Sequence, residues 1–227
     1  MSLLPPAHVI AHISSDFPTK FGIPRQSGLV DALRAQIRFA PEYRCPDALR
    51  GLEGFSHIWL IWQFSAAVRK NWSPTVRRPR LGGNTRMGVF ATRSPFRPNP
   101  IGLSCVKLEQ VVVSPEPYLE ISGADLMDGT PILDIKPYLP YTDCHPEASG
   151  GFAASGEGAL LQVDCPPELL RLLPEQKRQA LLGVLAHDPR PAYQEDPERI
   201  YGMAFGEFEV RFRVREGRLL VLGIAPG

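Results

Sequence analysis

Alternating apolar and polar residues mark a series of short strands in the first two thirds of the chain. In residues 35–39, Ile37 and Phe39 alternate with polar neighbours, which is the period of a half-buried strand. Similar β-type segments occur at residues 9–13, 106–113, 119–122 and 132–135, with prolines and glycines between them. Many short strands separated by turn residues predict a closed or nearly closed β-barrel.

Residues 57–64 form the most apolar candidate strand. Their aromatic and β-branched side chains predict a strand that is buried on both faces. Asp47 is a candidate N-cap for a short helix that ends near Leu52. Residues 1–145 show neither a strand–helix–strand alternation nor a Gly-x-Gly-x-x-Gly motif after a strand, which argues against a Rossmann nucleotide-binding fold.

The last third of the chain has a different pattern. Residues 168–186 are helical in pattern, and Pro174 divides them into two pieces. In residues 208–215 apolar and charged residues alternate, and Glu216-Gly217 makes the turn into a second strand. Residues 146–160, rich in Ala, Ser and Gly, are predicted to be a flexible linker. We therefore predict a mainly β protein, with a β-barrel N-terminal domain over residues 1–148 and a smaller α+β C-terminal domain over residues 160–227.

Composition narrows the cellular setting. The 227 residues contain no apolar run of about eighteen, and the N-terminus lacks a basic region followed by an apolar core, so neither a membrane span nor a secretory signal is predicted. Four cysteines are widely spaced without a Cys-x-x-Cys pair, which favours free thiols in the cytoplasm. Cys144-His145 is the only Cys/His neighbour pair, and one pair cannot complete a tetrahedral site, so no metal is predicted.

The charge is strongly segregated although the net charge is only +1. No acidic residue lies between Glu53 and Glu109, whereas nine basic residues do: Arg69, Lys70, Arg77, Arg78, Arg80, Arg86, Arg93, Arg97 and Lys107. Such a block suits phosphate or nucleic acid, whose binding depends on neutralising backbone charge. The alternative is a solvated basic face without a ligand.

Residues 86–104 hold the densest group of unusual residues. Three prolines, two glycines and three arginines fall within these nineteen positions. Each proline fixes its own φ and drives the preceding residue toward extended backbone. The segment is therefore predicted to be a rigid loop that holds Arg93, Arg97 and Asn99 in place for a charged ligand, and not an inner strand.

A second group of polar residues lies in residues 125–143, which contain four aspartates, a lysine and two tyrosines. Asp128-Gly129 is typical of a tight turn. The simplest interpretation is a hairpin with a polar loop. The alternative is that these carboxylates face the cationic loop and form a bipolar pocket for a zwitterionic ligand.

Four ordered motifs together resemble a known family. They are Pro24-Arg25-Gln26, the strand at 57–64, the loop at 86–104, and Asp128-Gly-Thr-Pro followed by Asp134-Ile-Lys-Pro-Tyr138. This set resembles the TsaA-like family, and most closely its bacterial tRNA methyltransferases, over residues 8 to about 145. Residues 188–193 and the closing hairpin resemble the C-terminal domain of those enzymes.

The resemblance implies a small β-barrel that binds S-adenosylmethionine and forms a homodimer. The implied reaction methylates N6 of N6-threonylcarbamoyladenosine, next to the anticodon at position 37 of threonine tRNA. By position in the motifs, the cofactor pocket would be lined by Pro24, Arg25, Gln26, Ser65, Ala66, Arg93, Leu103, Gly123, Ala124, Asp125 and Leu126. The chain departs from the family at Ser65-Ala66, where a His-Gln pair is expected.

The acceptor chemistry suggests roles for further residues. The target nitrogen is conjugated with a ring and a carbonyl, so loss of its proton would assist attack on the methyl group. Asp128, Asp134 and Tyr138 are the catalytic candidates, with Asp143 beside them on the substrate side, although positioning alone is an equal alternative. Arg97 or Lys136 would pair with the carboxylate of the modified base. Asn99 would bind a base edge or cap its loop, and Arg211, Arg213 and Arg215 would grip the tRNA.

Three functional hypotheses follow. The first is the tRNA N6-methyltransferase. The second is a barrel methyltransferase that acts on another RNA or on a small metabolite. The third is a non-enzymatic module that binds RNA or a nucleotide through the same charged loop.

Overall fold

A computed structural model describes residues 7–68, 71–77, 86–153, 159–191 and 196–227. Several residues singled out in the sequence lie outside these ranges: Arg69, Lys70, Arg78, Arg80 and residues 192–193 of the C-terminal motif. The predicted linker at 146–160 is described except for residues 154–158, and a short 3₁₀ helix at Gly151–Ala153 lies within it.

The described residues form twelve strands and three α-helices, besides several short 3₁₀ helices. The strands are β1 (Ala11–Ser14), β2 (Arg34–Phe39), β3 (His57–Gln63), β4 (Thr75–Arg77), β5 (Arg86–Gly88), β6 (Ile101–Val112), β7 (Tyr118–Ser122), β8 (Pro131–Pro137), β9 (Gln162–Asp164), β10 (Tyr201–Phe205), β11 (Phe208–Arg215) and β12 (Arg218–Pro226). The helices are α1 (Pro140–Asp143), α2 (Pro167–Leu170) and α3 (Glu175–Ala186).

Six of the strands close into a barrel in the order β1-β2-β7-β6-β3-β8, and β8 pairs back onto β1. Its interior is filled by side chains that alternate inward along each strand, among them Ile13, Ile37, Leu60 and Ile121. Closure leaves no unpaired edge within the barrel. The predicted mainly β fold with an N-terminal barrel is confirmed.

Two sequence predictions about these strands need correction. Residues 57–64 are predicted from the sequence to be buried on both faces, but in β3 only Ile58, Leu60 and Trp62 are buried and their neighbours are half-buried. On the outer face of β3, Trp59 is half-buried because it contacts Tyr138, directly after β8. The loop at 86–104 also ends earlier than predicted, since the inner strand β6 begins at Ile101, directly after the last proline.

The predicted helix between Asp47 and Leu52 is instead two 3₁₀ helices, Pro46–Leu49 and Leu52–Gly54. Gly51 between them adopts a φ of +88°, which interrupts a continuous helix. Asp47 does not cap either one, because it lies inside the first, and its carboxylate pairs with Arg50.

The C-terminal module consists of α2, α3 and a four-stranded sheet in the order β10-β11-β12-β9. The helical pattern divided at Pro174 and the turn at Glu216-Gly217 are confirmed, since α3 begins directly after Pro174 and β11 pairs with β12. Leu181 and Leu185 of α3 pack on the inner face of the sheet. In the described part of the chain, no helix is long and apolar enough to cross a membrane.

Candidate functional site

A cavity of about 1040 Å³ opens where one end of the barrel meets the proline-rich loop. Its walls come from the β1–β2 connection, the end of β3 with the 3₁₀ helix Ser65–Ala67, and the loop before β6. Trp62 and Phe64 form an apolar wall, with their rings 4.2 Å apart. The volume is in the upper range for sites that enclose a small molecule or cofactor.

The cationic side of the cavity is held by hydrogen bonds. Arg93 Nη1 donates a short hydrogen bond to Gln26 Oε1, which joins the proline-rich loop to the β1–β2 connection. Arg97 Nη1 donates to the carbonyl oxygen of Thr92 at 3.0 Å and so closes the loop on itself. With Lys20 and Arg25, these arginines give the described lining four cationic side chains. An anionic group is therefore favoured on this side.

One carboxylate faces these cations. Asp125 lies in the cavity wall, and its Oδ1 accepts a 2.6 Å hydrogen bond from the Ser104 hydroxyl. Ser104 is itself buried and accepts a 3.0 Å hydrogen bond from Trp62 Nε1. Burial raises the pKa of Asp125 above its ordinary value, although the Ser104 bond, backbone hydrogen bonding and the charge of Arg93 oppose that shift.

The indole of Trp62 can reach Ser104 because Gly102 lies beneath it. A Cβ atom at Gly102 would be 2.2 Å from Trp62 Cε2, so only glycine leaves room for the ring. The chain Trp62–Ser104–Asp125 therefore fixes the carboxylate from inside the barrel, through groups that are shielded from water.

The structure brings ten of the predicted site residues together around the cavity. Those expected at the cofactor are Pro24, Arg25, Gln26, Ser65, Ala66, Arg93, Leu103 and Asp125, and those expected at the substrate are Arg97 and Asn99. The other predicted residues are not among the described residues that line it.

Three residues next to Asp125 lie beneath the wall and do not face the cavity. Ala124 and Leu126 are buried in the barrel core. Gly123 has a φ of +75°, and its backbone binds Leu33 and Gly28 through hydrogen bonds of 2.9 and 2.8 Å. Of residues 123–126, only Asp125 lines the cavity.

Asp128 has a local partner. Its Oδ1 accepts a 2.9 Å hydrogen bond from the backbone of Ser15, and its N–H donates to the carbonyl of Phe17 at 2.8 Å. The carboxylate thus fixes the exit of β1, close to the cavity but directed at the backbone.

The remaining acidic and aromatic candidates lie on the outer face of the barrel, which corrects the expectation that residues 125–143 together face the cationic loop. Asp134 pairs with Lys136 at 3.0 Å. Tyr138 contacts Trp59, with their rings 5.8 Å apart, and Asp143 accepts a 2.9 Å hydrogen bond from Trp59 Nε1. The backbone N–H of Leu139 and the indole of Trp59 lower the pKa of Asp143.

The strand register explains this separation. β8 is antiparallel to β3, so Ile132 lies beside Trp62 at the cavity end, whereas Tyr138 lies beside His57 at the opposite end. Five residues of strand separate the two ends, about 16 Å. Tyr138 is therefore remote from the cavity.

Arg211 and Arg213 lie on the outer face of the C-terminal sheet, away from the cavity. β11 buries Val210, Phe212 and Val214 and exposes Arg211 and Arg215. Arg213 is half-buried and pairs with Glu198 at 3.5 Å.

Sequence reasoning missed Lys20, Phe90 and Ser104. Lys20 lies in the turn-rich segment before Pro24, and Phe90 follows β5 in the basic block. Ser104 carried a usable signal, because in β6 it occupies an inward position between the outward Leu103 and Cys105. A polar residue on the inward side of a barrel strand indicates a buried hydrogen-bond network. Among the described residues, no cluster of three or more His, Cys, Asp or Glu side chains is arranged to hold a metal ion.

Comparison with known proteins assigns both halves of the chain. Residues 12–144 match the family model of the tRNA-methyltransferase O N-terminal domain, and residues 159–227 match that of the TrmO C-terminal domain. A tRNA (adenine(37)-N6)-methyltransferase of Escherichia coli is 44% identical over 226 residues, and the match covers 96% of each chain. A tRNA (adenine(37)-N6)-methyltransferase of Eikenella corrodens is 50% identical over 168 residues, which cover 74% of this chain and 95% of that protein. A crystal structure of TrmO from Pseudomonas aeruginosa superposes with a TM-score of 0.82 at 33% identity, covering 98% of this chain and 99% of its own. The chain belongs to the tRNA-methyltransferase O family.

Proposed function

We propose that this protein transfers a methyl group from S-adenosylmethionine to N6 of the adenosine at position 37 of tRNA. The observation that carries the proposal is the cavity with four cations and one carboxylate, in a chain that matches the tRNA-methyltransferase O family in both halves. We further propose that the acceptor is N6-threonylcarbamoyladenosine in threonine tRNA. The carboxylate of that nucleoside suits the excess of arginine around the cavity.

The residues present fit the cofactor. S-adenosylmethionine carries a carboxylate, an ammonium group, a sulfonium and an adenine ring. Arg93 offers a donor for the carboxylate, Asp125 offers a countercharge for a cation, and Trp62 with Phe64 offers an apolar wall for a ring. Ser65-Ala66 supplies less side-chain hydrogen bonding than the expected His-Gln pair. Gln26 acts on the site through Arg93, whose guanidinium donates to its side-chain oxygen.

The bound cofactor supplies the reactive methyl group, and the protein supplies its placement. Orientation of donor and acceptor can remove about 7–11 kcal/mol from a barrier of this kind. Arg97 and Asn99 lie on the same loop as Arg93, at the mouth of the cavity. We assign Arg97 to the carboxylate of the modified base and Asn99 to its edge.

We propose a homodimer, in which the outer face of β6, β3 and β8 meets a second copy. Leu103, Ile61 and Asp134 occupy one row across these strands, so Leu103 and Asp134 lie about 10 Å apart. Leu103 is 53% exposed and also lines the cavity. A second copy on this face would bring its Asp134, Lys136 and Tyr138 near the cavity. In such a dimer these three residues remain candidates for the transfer step.

Subunit mixing tests the shared site. Arg93→Ala removes a cavity residue and Asp134→Asn an outer-face residue. If each homodimer is inactive, an equimolar mixture of the two variants should recover about a quarter of the wild-type activity, because half of its dimers are mixed and each mixed dimer has one of its two sites intact. Full activity of Asp134→Asn alone, or a monomer in light scattering, would contradict the proposal.

The acceptor is tested with threonine tRNA prepared with and without its threonylcarbamoyl group. We expect methyl transfer from labelled S-adenosylmethionine only to the modified form. Equal transfer to both forms would show that the threonylcarbamoyl group is not required, and binding of S-adenosylmethionine without any tRNA methylation would favour a small-metabolite acceptor.

A tRNA substrate and the four unpaired cysteines favour a cytoplasmic location.

A further inference from the structure

The β1–β2 connection is built into the core of the C-terminal module. It spans nineteen residues, 15–33, without any helix or strand. Phe17, Val30 and Leu33 are nevertheless buried, at 1%, 5% and 3% exposure, in the same apolar cluster as Leu181 and Met203. A connection of this length loses much conformational entropy when it becomes ordered. We infer that packing against the C-terminal core offsets most of that cost.

Polar contacts fix both ends of the connection. Lys177 of α3 forms a short ion pair with Asp16, and the backbone N–H of Gly206 donates to the Asp16 carbonyl at 2.7 Å. At the other end, His187 Nε2 lies 2.9 Å from the carbonyl oxygen of Leu29. That oxygen can only accept, so His187 carries its proton on Nε2 and donates.

The packing between the two parts is close. Gly22 has a φ of +93°, and a Cβ atom there would be 2.3 Å from the sulfur of Met203. A Cβ atom at Gly183 of α3 would be 2.6 Å from Val30 Cγ1. Both glycines bring the connection to the surface of the module without a gap.

The middle of this same connection is a wall of the cavity. Pro24, Arg25 and Gln26 line it, and Gln26 holds Arg93. Backbone hydrogen bonding from Ser27 is one of the contacts that oppose the rise in the pKa of Asp125 caused by burial. The α3 helix is thus linked, through one stretch of chain, to both charged groups that we assign to the cofactor.

We propose that the C-terminal module is a positioning element for the cofactor site, with Lys177 and His187 acting through residues 16–29. This inference rests on the proposed function. Without these contacts the connection loses its fixed conformation, and the ligand must then supply the ordering free energy on binding. The module thereby raises cofactor affinity, independently of any contact it makes with tRNA.

The test is calorimetric titration of S-adenosylmethionine into the full chain carrying Lys177→Met or His187→Ala. We expect the Kd to rise about tenfold with the stoichiometry unchanged, whereas a variant that merely misfolds would lower the stoichiometry at constant Kd. Lys177→Arg and His187→Gln retain the charge and the donor and should stay within about threefold of wild type. Arg178→Met is the matched control on α3, because Arg178 binds Leu173 of its own module.

Limited trypsin digestion in the absence of cofactor adds a readout of the connection itself. Lys20 and Arg25 are its cleavage points, and cleavage there should be faster in Lys177→Met than in Lys177→Arg. Wild-type Kd values in both disruptive variants, or weaker binding without faster cleavage, would overturn the inference. Failure of wild-type protein to bind S-adenosylmethionine would instead overturn the proposed function.

Discussion

The Ser104 hydroxyl donates a 2.6 Å hydrogen bond to Asp125 Oδ1, and this contact places the only described carboxylate of the cavity. Trp62 holds Ser104 in turn through its indole N–H. The acid is therefore positioned from the barrel core, while the cations opposite are positioned by loops. A rigid anion facing cations held by loops suits a ligand with separate positive and negative groups.

Asp125→Asn should weaken binding of S-adenosylmethionine, because it removes the countercharge while keeping the acceptor oxygen for Ser104. A loss of about 1.5–3 kcal/mol, or roughly 10- to 100-fold in Kd, is expected for a charged hydrogen bond. Calorimetry measures it. Asp128→Asn is the matched control, because Asp128 lies outside the cavity lining and asparagine keeps the oxygen that accepts from the Ser15 N–H, so the Kd of this variant should equal that of the wild type.

Asp125→Asn should not destabilise the fold at neutral pH. Burial raises the pKa of Asp125 in the folded state, which means that the folded protein holds this proton more tightly than the unfolded chain does. The resulting stabilisation is complete below the pKa of an unfolded aspartate, about 4, and is lost as the pH rises through the folded-state pKa. Asparagine does not ionise, so the variant does not undergo this loss. Urea unfolding at pH 7.5 should give an equal or higher free energy of unfolding for the variant, and a clear decrease would mean that the carboxylate stabilises the fold.

Cofactor affinity should depend on pH through the same group. Protonation of Asp125 removes its charge, and because its pKa is raised, affinity should begin to fall at a higher pH than for an ordinary aspartate. Titrations run downward from neutral pH should show this decrease in wild type, and Asp125→Asn should lack it. An identical pH dependence in both proteins would exclude Asp125 as the titrating group.

Ser104→Ala should lower both stability and cofactor affinity. It leaves Trp62 Nε1 and Asp125 without their shared partner in a buried setting, which costs about 1–3 kcal/mol. Urea unfolding measures the first effect and calorimetry the second. Ser65→Ala changes a serine that lines the cavity but lies outside this hydrogen-bonded chain, and it should leave the stability within about 0.5 kcal/mol of wild type.

The sequence predicts the parts of this site whose chemistry is local. Prolines flanking Arg93, Arg97 and Asn99 mark a rigid loop whatever the fold, and this loop does line the cavity. The Ser104–Asp125 contact could not be predicted, because it depends on barrel closure between residues 21 positions apart. The displacement of Tyr138 and Asp143 follows from the register of β8 on β3, which an alternating pattern leaves open.

The role of residues 15–33 was also hidden from the sequence. Phe17, Val30 and Leu33 do not follow a strand or helix period, so nothing in their spacing indicates that they complete the core of the C-terminal module. Pro24-Arg25-Gln26 could be recognised as a motif, but its support by α3 could not, because the contacts connect residues about 160 positions apart, as in Lys177–Asp16.

Arg211→Ala combined with Arg213→Ala should weaken tRNA binding without changing the Kd for S-adenosylmethionine. If each arginine neutralises one phosphate, the slope of log K against log salt should decrease by about 1 per residue removed. Filter binding across salt concentrations measures the slope. An unchanged slope would assign this face of the C-terminal sheet a role other than gripping tRNA.

Nucleoside mass spectrometry of threonine tRNA tests the central claim most directly. The tRNA is taken from cells lacking this protein and incubated with S-adenosylmethionine and wild type, Arg93→Ala or Arg50→Ala. Arg50 pairs with Asp47 outside the cavity lining and outside the basic block, and serves as the matched control. We predict a methyl gain on threonylcarbamoyladenosine with wild type and Arg50→Ala, and little or none with a folded Arg93→Ala. No gain with wild type, or an undiminished gain with Arg93→Ala, would contradict the account of this cavity as the methyl-transfer site.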